Sequence, residues 1–235
     1  MLKFGVIAEG PTDQTVIENI IIGYFQDEEE EPVINPVQPP LPTSAAPSPP
    51  GGWTLVFKCL QQGESQKILQ FNDYLVIHID MDVQEEPGFD VPTREDGIEL
   101  SPADRIARVI DRLRNDIDAA FYQTNSHRIL FAVAVDSIEC WLLPLLYNDN
   151  KASKTTGCLE SANQALRKAD ENALSAGDKK FVRAYENASH GYLKRKTLLE
   201  LRNKNPSLEI FVGSLDSLQS GRNANLPAES RPHQG

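Results

Sequence analysis

The chain has 235 residues, of which 40% are hydrophobic, and a formal net charge of −11. This length fits one large domain, or one domain with an appendage, and the acidic charge argues against a protein that coats nucleic acid without sequence preference. No apolar run approaches the roughly 18 residues that cross a membrane. The three cysteines lack CxxC spacing and are too few for a disulfide scaffold or a zinc site. These features predict a cytoplasmic protein in a reducing compartment.

The N-terminal segment predicts a buried strand followed closely by a helix. Residues 3–8 are mostly apolar, and Gly10 and Pro11 then suit the N-cap and the first helical position. Apolar residues recur at helical spacing as far as about Phe25. Glu9 therefore lies where the strand passes into the helix, at the edge of an open α/β sheet where ligands bind.

Residues 27–52 differ in composition from the rest of the chain. A run of acids is followed by eight prolines between positions 32 and 50, and then by Gly51 and Gly52. Because proline cannot sustain a helix interior or a central strand, we expect an extended loop with polyproline character, inserted in the domain.

Two strands and two helices are predicted next. Trp53–Lys58 has the composition of the second strand, and a short helix over residues 66–71 leads to the third strand, Tyr74–Ile79. After an acidic loop over residues 83–100, Ser101 and Pro102 begin a helix with one continuous apolar stripe to residue 121.

The fourth strand, Arg128–Val135, is apolar throughout, as in a parallel sheet that is buried on both faces. Ser137 is predicted to cap an apolar helix, and no strand is expected after Asn148. Instead we expect helices over residues 159–172, 178–188, 192–203 and 208–218. The alternation predicts an α/β fold with a parallel sheet flanked by helices. Its core is residues 1–147, residues 148–219 form a helical extension packed on that core, and residues 220–235 form a disordered tail.

Acidic residues follow three of the predicted strands and should meet at one crevice. Alone, each has a structural explanation as a strand end, a turn or a helix cap. Asp80 and Asp82, two apart in an extended chain, should project on the same side. Close carboxylates repel one another unless a cation such as Mg²⁺ or Mn²⁺ lies between them. The sequence therefore predicts a metal site from Glu9, Asp80, Asp82, Asp136 and Glu139.

The segments Glu9-Gly10-Pro11-Thr12-Asp13 and Asp80-Met81-Asp82 resemble the Toprim domain, which topoisomerases, bacterial primases and OLD-type nucleases share. The resemblance implies a Toprim-like, Rossmann-like fold over roughly residues 1–147, with Glu9, Asp80 and Asp82 at a metal site that cleaves phosphodiesters. The segment Asp136-Ser137-Ile138-Glu139-Cys140-Trp141 is most similar to compact stand-alone Toprim-like proteins of the DUF4276 type. Those are often encoded beside an ATPase in phage-defence or mobile-element settings. The proline-rich insertion departs from this pattern.

Basic residues are concentrated in the C-terminal third of the chain. Lys194, Arg195 and Lys196 could contact nucleic-acid phosphates, and Lys194 or Lys196 could stabilise the transition state. The alternative for this segment is a solvated basic helix face. His78 lies inside a strand and is expected to be a packed core residue, and Cys140 is expected to be buried and inert.

Two functions remain open from the sequence. The first is a Mg²⁺- or Mn²⁺-dependent nuclease that acts on DNA or RNA. The second is a non-catalytic regulatory or adaptor subunit that docks to an ATPase. No GxxxxGK[ST] or GxGxxG motif is present, so ATP or NAD binding by those routes is not expected.

Overall fold

The computed structural model describes residues 1–40, 51–176 and 179–225. These residues form eight strands: β1 (Lys3–Ile7), β2 (Val33–Gln38), β3 (Tyr74–Asp80), β4 (Arg94–Glu95), β5 (Ile98–Glu99), β6 (Ile129–Ala134), β7 (Ser175–Ala176) and β8 (Lys179–Lys180). They form ten α-helices: α1 (Pro11–Tyr24), α2 (Trp53–Gln61), α3 (Glu64–Phe71), α4 (Pro102–Arg114), α5 (Ala119–Asn125), α6 (Leu143–Leu146), α7 (Cys158–Lys168), α8 (Val182–Ser189), α9 (Arg195–Leu201) and α10 (Pro206–Asn225). Short 3-10 helices span Ser126–Arg128, Ile138–Trp141, Asn150–Ser153, His190–Leu193 and Arg202–Lys204.

Four parallel strands form the central sheet in the order β2-β1-β3-β6, and β4-β5 and β7-β8 are short antiparallel hairpins. Side chains alternate across each strand, so that Val76 packs with α1, α8 and α10 on one face, whereas Ile77 packs with α2, α3 and α4 on the other. The predicted α/β fold, a parallel sheet flanked by helices with a C-terminal helical part, is confirmed. In the part of the chain that the structure describes, no helix combines the length and apolar character that a membrane span requires.

The predicted strand Trp53–Lys58 is wrong, because these residues belong to helix α2. Val56, Phe57 and Leu60 form its buried face, and Phe57 and Trp53 contact Phe89. A short apolar run fits both the helical and the strand period, so that periodicity alone cannot separate the two.

The missing strand lies inside the segment that was expected to be an irregular proline-rich loop. Val33–Gln38 forms β2 at the edge of the sheet, where Pro36 is tolerated because an edge strand needs hydrogen bonds on one side only. Gln14 of α1 donates hydrogen bonds to the carbonyl oxygens of Gln38 and Pro39 (2.9 and 2.8 Å), which holds the end of β2 against the helix. The polyproline prediction for residues 41–50 lies outside the described residues.

Smaller differences follow from local capping and tertiary contacts. Ser101 caps α4 as expected, by accepting a hydrogen bond from Asp104 N (3.2 Å), but the helix ends at Arg114 and Asp118 caps a separate α5. Ser137 makes no side-chain cap, and a 3-10 helix follows it. Contrary to expectation, strands β7 and β8 follow position 148, and α10 continues to residue 225 inside the predicted tail. Residues 226–235 lie outside the described residues.

Two of the three cysteines pair, although their number and spacing had predicted no disulfide scaffold. Cys140 and Cys158 form a disulfide, with Cα atoms 4.9 Å apart across a sequence separation of 18. Cys140 lies in the 3-10 helix after β6, and Cys158 is the first residue of α7. The fold brings these segments together, which cysteine spacing in the sequence does not reveal.

Candidate active site

Three neighbouring strands end at the same edge of the sheet, and an acidic residue lies at each end. Asp80 is the last residue of β3. Glu9 lies two residues after the end of β1, and Asp136 lies two residues after the end of β6. Glu9 Oε1 accepts a hydrogen bond from the backbone N–H of Asp80 (2.8 Å). The amide of Met81 donates to the carbonyl oxygens of Ala134 and Asp136 (3.1 and 2.9 Å). The structure therefore brings these three acids to one edge.

Two further carboxylates are buried beside Glu9 and Asp80. Asp13, in the first turn of α1, is 3% exposed and accepts a hydrogen bond from the Thr12 hydroxyl (3.2 Å). Glu139, in the 3-10 helix after β6, is 1% exposed and accepts a hydrogen bond from the Tyr185 hydroxyl. Asp13 was not among the acids predicted to hold a metal, whereas the structure makes it a member of the acidic cluster.

Lys180 supplies the positive charge of this cluster, and sequence reasoning missed it. Its Nζ lies 2.7 Å from Glu139 Oε1, and its side chain is 40% exposed. Partial burial lowers the pKa of Lys180, but attraction to the Glu139 and Asp13 carboxylates outweighs burial and raises the pKa above its ordinary value. Lys180 lies in β8, a segment predicted to be helical, and only the excess of basic residues in the C-terminal third pointed towards it.

The acids of the cluster have perturbed pKa values because they are buried near one another. Burial raises the pKa of Glu9 to about 8, against the hydrogen bond from Asp80 and with support from the Asp13 and Asp82 carboxylates. Burial also raises the pKa of Asp13 to about 6 and that of Asp80 well above its ordinary range. One ammonium does not neutralise this many carboxylates, so at neutral pH the cluster retains protons or binds a further cation.

Asp80 has a buried oxygen that lacks a hydrogen-bond donor. Among the described residues, neither Asp80 Oδ1 nor either ring nitrogen of His78 has a hydrogen-bond partner, and Oδ1 lies 3.4 Å from His78 Nε2. Burial, followed by the charge of Lys180, lowers the pKa of His78 to about 3, so its imidazole is neutral. His78 is fully buried and its ring meets Trp141 edge-on, which confirms the prediction of a packed core residue.

Asp82 occupies a different position from Asp80. Strand β3 ends at Asp80, so the alternation that would place both side chains on one side no longer applies to Asp82. Asp80 is 7% exposed, whereas Asp82 is solvent-exposed and lines a cavity of about 440 Å³ together with Asp136. The predicted common face relied on an extended chain, which ends at Asp80, and the cluster has a buried part, which includes Asp80, and an open part, which includes Asp82 and Asp136.

Asp136 links the open part to the disulfide. Its backbone has a φ of 64°, and its Oδ2 accepts a hydrogen bond from Gly157 N (3.1 Å) beside Cys158. Within the described ranges, Asp136, Cys140 and Cys158 are the one group of three potential ligands whose atoms lie within 4.8 Å of one another. Because the two sulphurs are bonded to each other, this group is not a metal site as it stands.

The acids predicted to hold a metal therefore do not form a closed cage. The chemistry of the donors nevertheless fits Mg²⁺, which is commonly held by one or two carboxylates together with waters and substrate phosphate oxygens. The Asp80 oxygen without a donor and the excess of carboxylates over ammonium groups are consistent with an additional cation at this edge.

The predicted basic segment lies elsewhere. The backbone N–H of Arg195 donates to Gln26 Oε1 (3.0 Å), and its guanidinium lies 5.0 Å from the centre of the Tyr24 ring, at the C-terminal end of α1. Glu9 precedes the other end of this 14-residue helix, whose length is about 21 Å at 1.5 Å per residue. Lys194 and Lys196 flank Arg195, so the structure does not bring the predicted catalytic and phosphate-binding bases to the acids.

Comparison with family models, with curated proteins and with solved structures finds no match for this chain.

Proposed function

We propose that this protein is a Mg²⁺- or Mn²⁺-dependent nuclease of Toprim type that hydrolyses phosphodiester bonds. The observation that supports this proposal best is the meeting of Glu9, Asp80 and Asp136 at the ends of three adjacent parallel strands, beside Lys180. Ligands bind at this edge of open α/β sheets. The resemblance of the Glu9-Gly10 and Asp80-Met81-Asp82 segments to Toprim motifs agrees with the position of the acids.

The open part of the cluster is where a cation and substrate would meet. Glu9, Asp82 and Asp136 would hold the cation, and the buried Asp80 would add negative charge beneath it. A divalent cation bound there would activate water and stabilise the leaving oxygen. The N–H groups of Asp80 and Gly157 orient one oxygen each of Glu9 and Asp136, so that these carboxylates are held in place before substrate binds.

Lys180 has a separate task in this proposal. The Lys180 ammonium contacts buried Glu139, which also accepts a hydrogen bond from the Tyr185 hydroxyl, while the lysine side chain keeps contact with solvent. An ammonium held there places positive charge beside the negative charge that develops on phosphate oxygens during cleavage. A cytoplasmic location is part of this proposal, because intact DNA and RNA substrates would be met there. The Toprim resemblance supports a phage-defence or mobile-element role.

A non-catalytic subunit that docks to an ATPase is the second candidate. One observation favours it: in the described part of the chain, no three of the predicted carboxylate ligands have oxygens within 4.8 Å of one another. In that case the cluster would be a structural remnant, stabilised by Lys180 and by bound protons.

Cleavage of supercoiled plasmid, single-stranded DNA and single-stranded RNA with Mn²⁺ or Mg²⁺ separates the two candidates. The nuclease proposal predicts metal-dependent cleavage that Glu9→Gln and Asp82→Asn each reduce by about 100-fold or more. Asp111→Asn is the matched control, because Asp111 is an exposed aspartate paired with Arg114 on α4. If the wild type cleaves none of these substrates, alone or with an ATPase encoded beside it, the adaptor is favoured.

A further inference from the structure

Helix α4 carries four arginines, and one of them differs from the others in its partner. Three are paired with carboxylates at distances of 2.7–2.9 Å: Arg108 with Glu95, Arg112 with Asp116 and Arg114 with Asp111. Arg105 has no carboxylate within 4.0 Å among the residues that the structure describes. Its positive charge is therefore not matched by an ion pair.

A neutral amide holds the Arg105 side chain instead. Gln84 Oε1 accepts hydrogen bonds from Arg105 Nε (3.1 Å) and Nη2 (2.7 Å). Gln84 is 1% exposed, and its own Nε2 donates to the carbonyl oxygen of Val91 (3.1 Å). This second bond fixes the amide so that its oxygen faces the guanidinium. Because the acceptor is uncharged, Arg105 is oriented without a contact ion pair, and its charge acts at longer range on the Glu85 and Asp136 carboxylates.

Arg105 lines the same cavity of about 440 Å³ as Asp82 and Asp136, the open acids of the candidate site. A cavity of this volume is within the range of sites for small ligands. Glu85 also lines the cavity, but its Oε1 accepts hydrogen bonds from the amide and hydroxyl of Thr93 (3.0 and 2.8 Å). An oriented arginine without a contact ion pair thus shares an open cavity with four carboxylates, those of Asp82, Glu85, Glu86 and Asp136.

We propose that Arg105 binds a non-bridging phosphate oxygen of the substrate, so that the nucleic-acid backbone enters the cavity between α4 and the ends of β3 and β6. This inference rests on the proposed nuclease function and names the residue that receives the substrate's phosphate. A phosphodiester bridging a carboxylate-bound cation and Arg105 would have its negative charge matched on both sides. The planar guanidinium can form two parallel hydrogen bonds to phosphate, which a lysine cannot reproduce.

Binding and cleavage measurements together test this inference. The probe is an unmodified fluorescein-labelled single-stranded oligonucleotide, and its binding is followed by fluorescence anisotropy at several salt concentrations with Ca²⁺, which like Mg²⁺ takes oxygen ligands. We expect Arg105→Gln to weaken binding about 10- to 100-fold and to reduce the salt slope by about 0.7, the value for one phosphate contact on a single strand. The affinity of Arg105→Lys should lie between that of the wild type and that of Arg105→Gln. The lysine variant also provides the test if Arg105→Gln fails to fold.

Arg108→Gln is the matched control, because it removes the same charge from the same helix, one turn further along. Its ion-pair partner, Glu95, is exposed, so the loss of that pair should have little effect on the fold. It should change binding less than about threefold. Equal affinities for Arg105→Gln and Arg108→Gln, in a wild type that cleaves, would overturn the inference and leave the nuclease proposal standing. A wild type that binds through Arg105 but never cleaves would support the phosphate contact and contradict the nuclease. A wild type that neither binds nor cleaves contradicts both.

Discussion

Replacing Lys180 by methionine is the sharpest perturbation of the acidic cluster. The substitution keeps the aliphatic stem but removes the ammonium that lies 2.7 Å from Glu139, a carboxylate that is 1% exposed. Removing one partner of a fully buried ion pair costs about 3–5 kcal/mol. The Lys180 side chain is 40% exposed, so water screens part of this interaction. We therefore expect the free energy of unfolding to fall by about 1–3 kcal/mol at neutral pH without metal.

Urea unfolding, followed by the fluorescence of the two tryptophans, measures this change in the presence of a chelator. Lys196→Met is the control, because Lys196 is 88% exposed and lies 3.9 Å from Glu200, and its loss should cost less than about 0.5 kcal/mol. In the double variant Lys180→Met/Glu139→Gln, the charge left without a partner is gone, so the double variant should be more stable than Lys180→Met alone.

The same variant links the cluster to cation binding. Without its internal ammonium the cluster has one more negative charge, so Mn²⁺ should raise the melting temperature of Lys180→Met more than that of the wild type. Equal losses for Lys180→Met and Lys196→Met would refute the assignment of Lys180 as the cation of the cluster. So would a double variant whose losses simply add.

Three further predictions follow from the buried groups. Because burial raises the pKa of Glu9 from 4.5 to about 8, its contribution to stability is fully present below pH 4.5 and is lost as the pH rises towards 8. Melting temperatures in chelator between pH 5 and 9 should therefore fall less steeply for Glu9→Gln than for the wild type. Replacing both Cys140 and Cys158 by serine should lower the free energy of unfolding by about 3 kcal/mol, because their disulfide closes a loop with a separation of 18 residues. Gly23→Ala should cost about 1–3 kcal/mol in urea unfolding, since a Cβ there would lie 1.8 Å from the carbonyl oxygen of Tyr192.

Each of these three has an outcome that contradicts it. If the melting temperatures of the wild type and of Glu9→Gln change with pH in the same way between pH 5 and 9, Glu9 does not titrate in this range. If thiol titration of the wild type, unfolded in denaturant without a reducing agent, finds three free cysteines, the Cys140–Cys158 bond is not formed in solution. Wild-type stability for Gly23→Ala would show that α1 does not touch the 3-10 helix His190–Leu193 as closely as the structure places it.

The sequence predicts the buried strands well because their composition leaves little choice. Residues 129–134 are apolar without interruption, and that pattern indicates a strand covered on both faces. The assignments failed where a short segment suits two structures. The apolar pattern of Trp53–Lys58 fits the period of a helix and that of a strand. Pro36 argues against a strand everywhere except at the edge of a sheet. Whether a segment lies at an edge is a property of the whole sheet, so local pattern could not decide it.

The candidate site divides in the same way. Glu9, Asp80 and Asp136 could be predicted because strand ends in a parallel sheet converge regardless of sequence distance. Lys180 and the Cys140–Cys158 bond depend on how the C-terminal segments return to the sheet, and no spacing in the sequence encodes that return.

The position of a bound metal ion tests the central claim most directly. Crystals grown at pH 8, where the raised pKa of Glu9 allows deprotonation, can be soaked in Mn²⁺ and examined by anomalous diffraction. Our account predicts an anomalous peak at the carboxyl edge of the sheet, coordinated by Glu9 together with Asp82 or Asp136. No peak at this edge, or a peak only at carboxylates elsewhere on the surface, would contradict it.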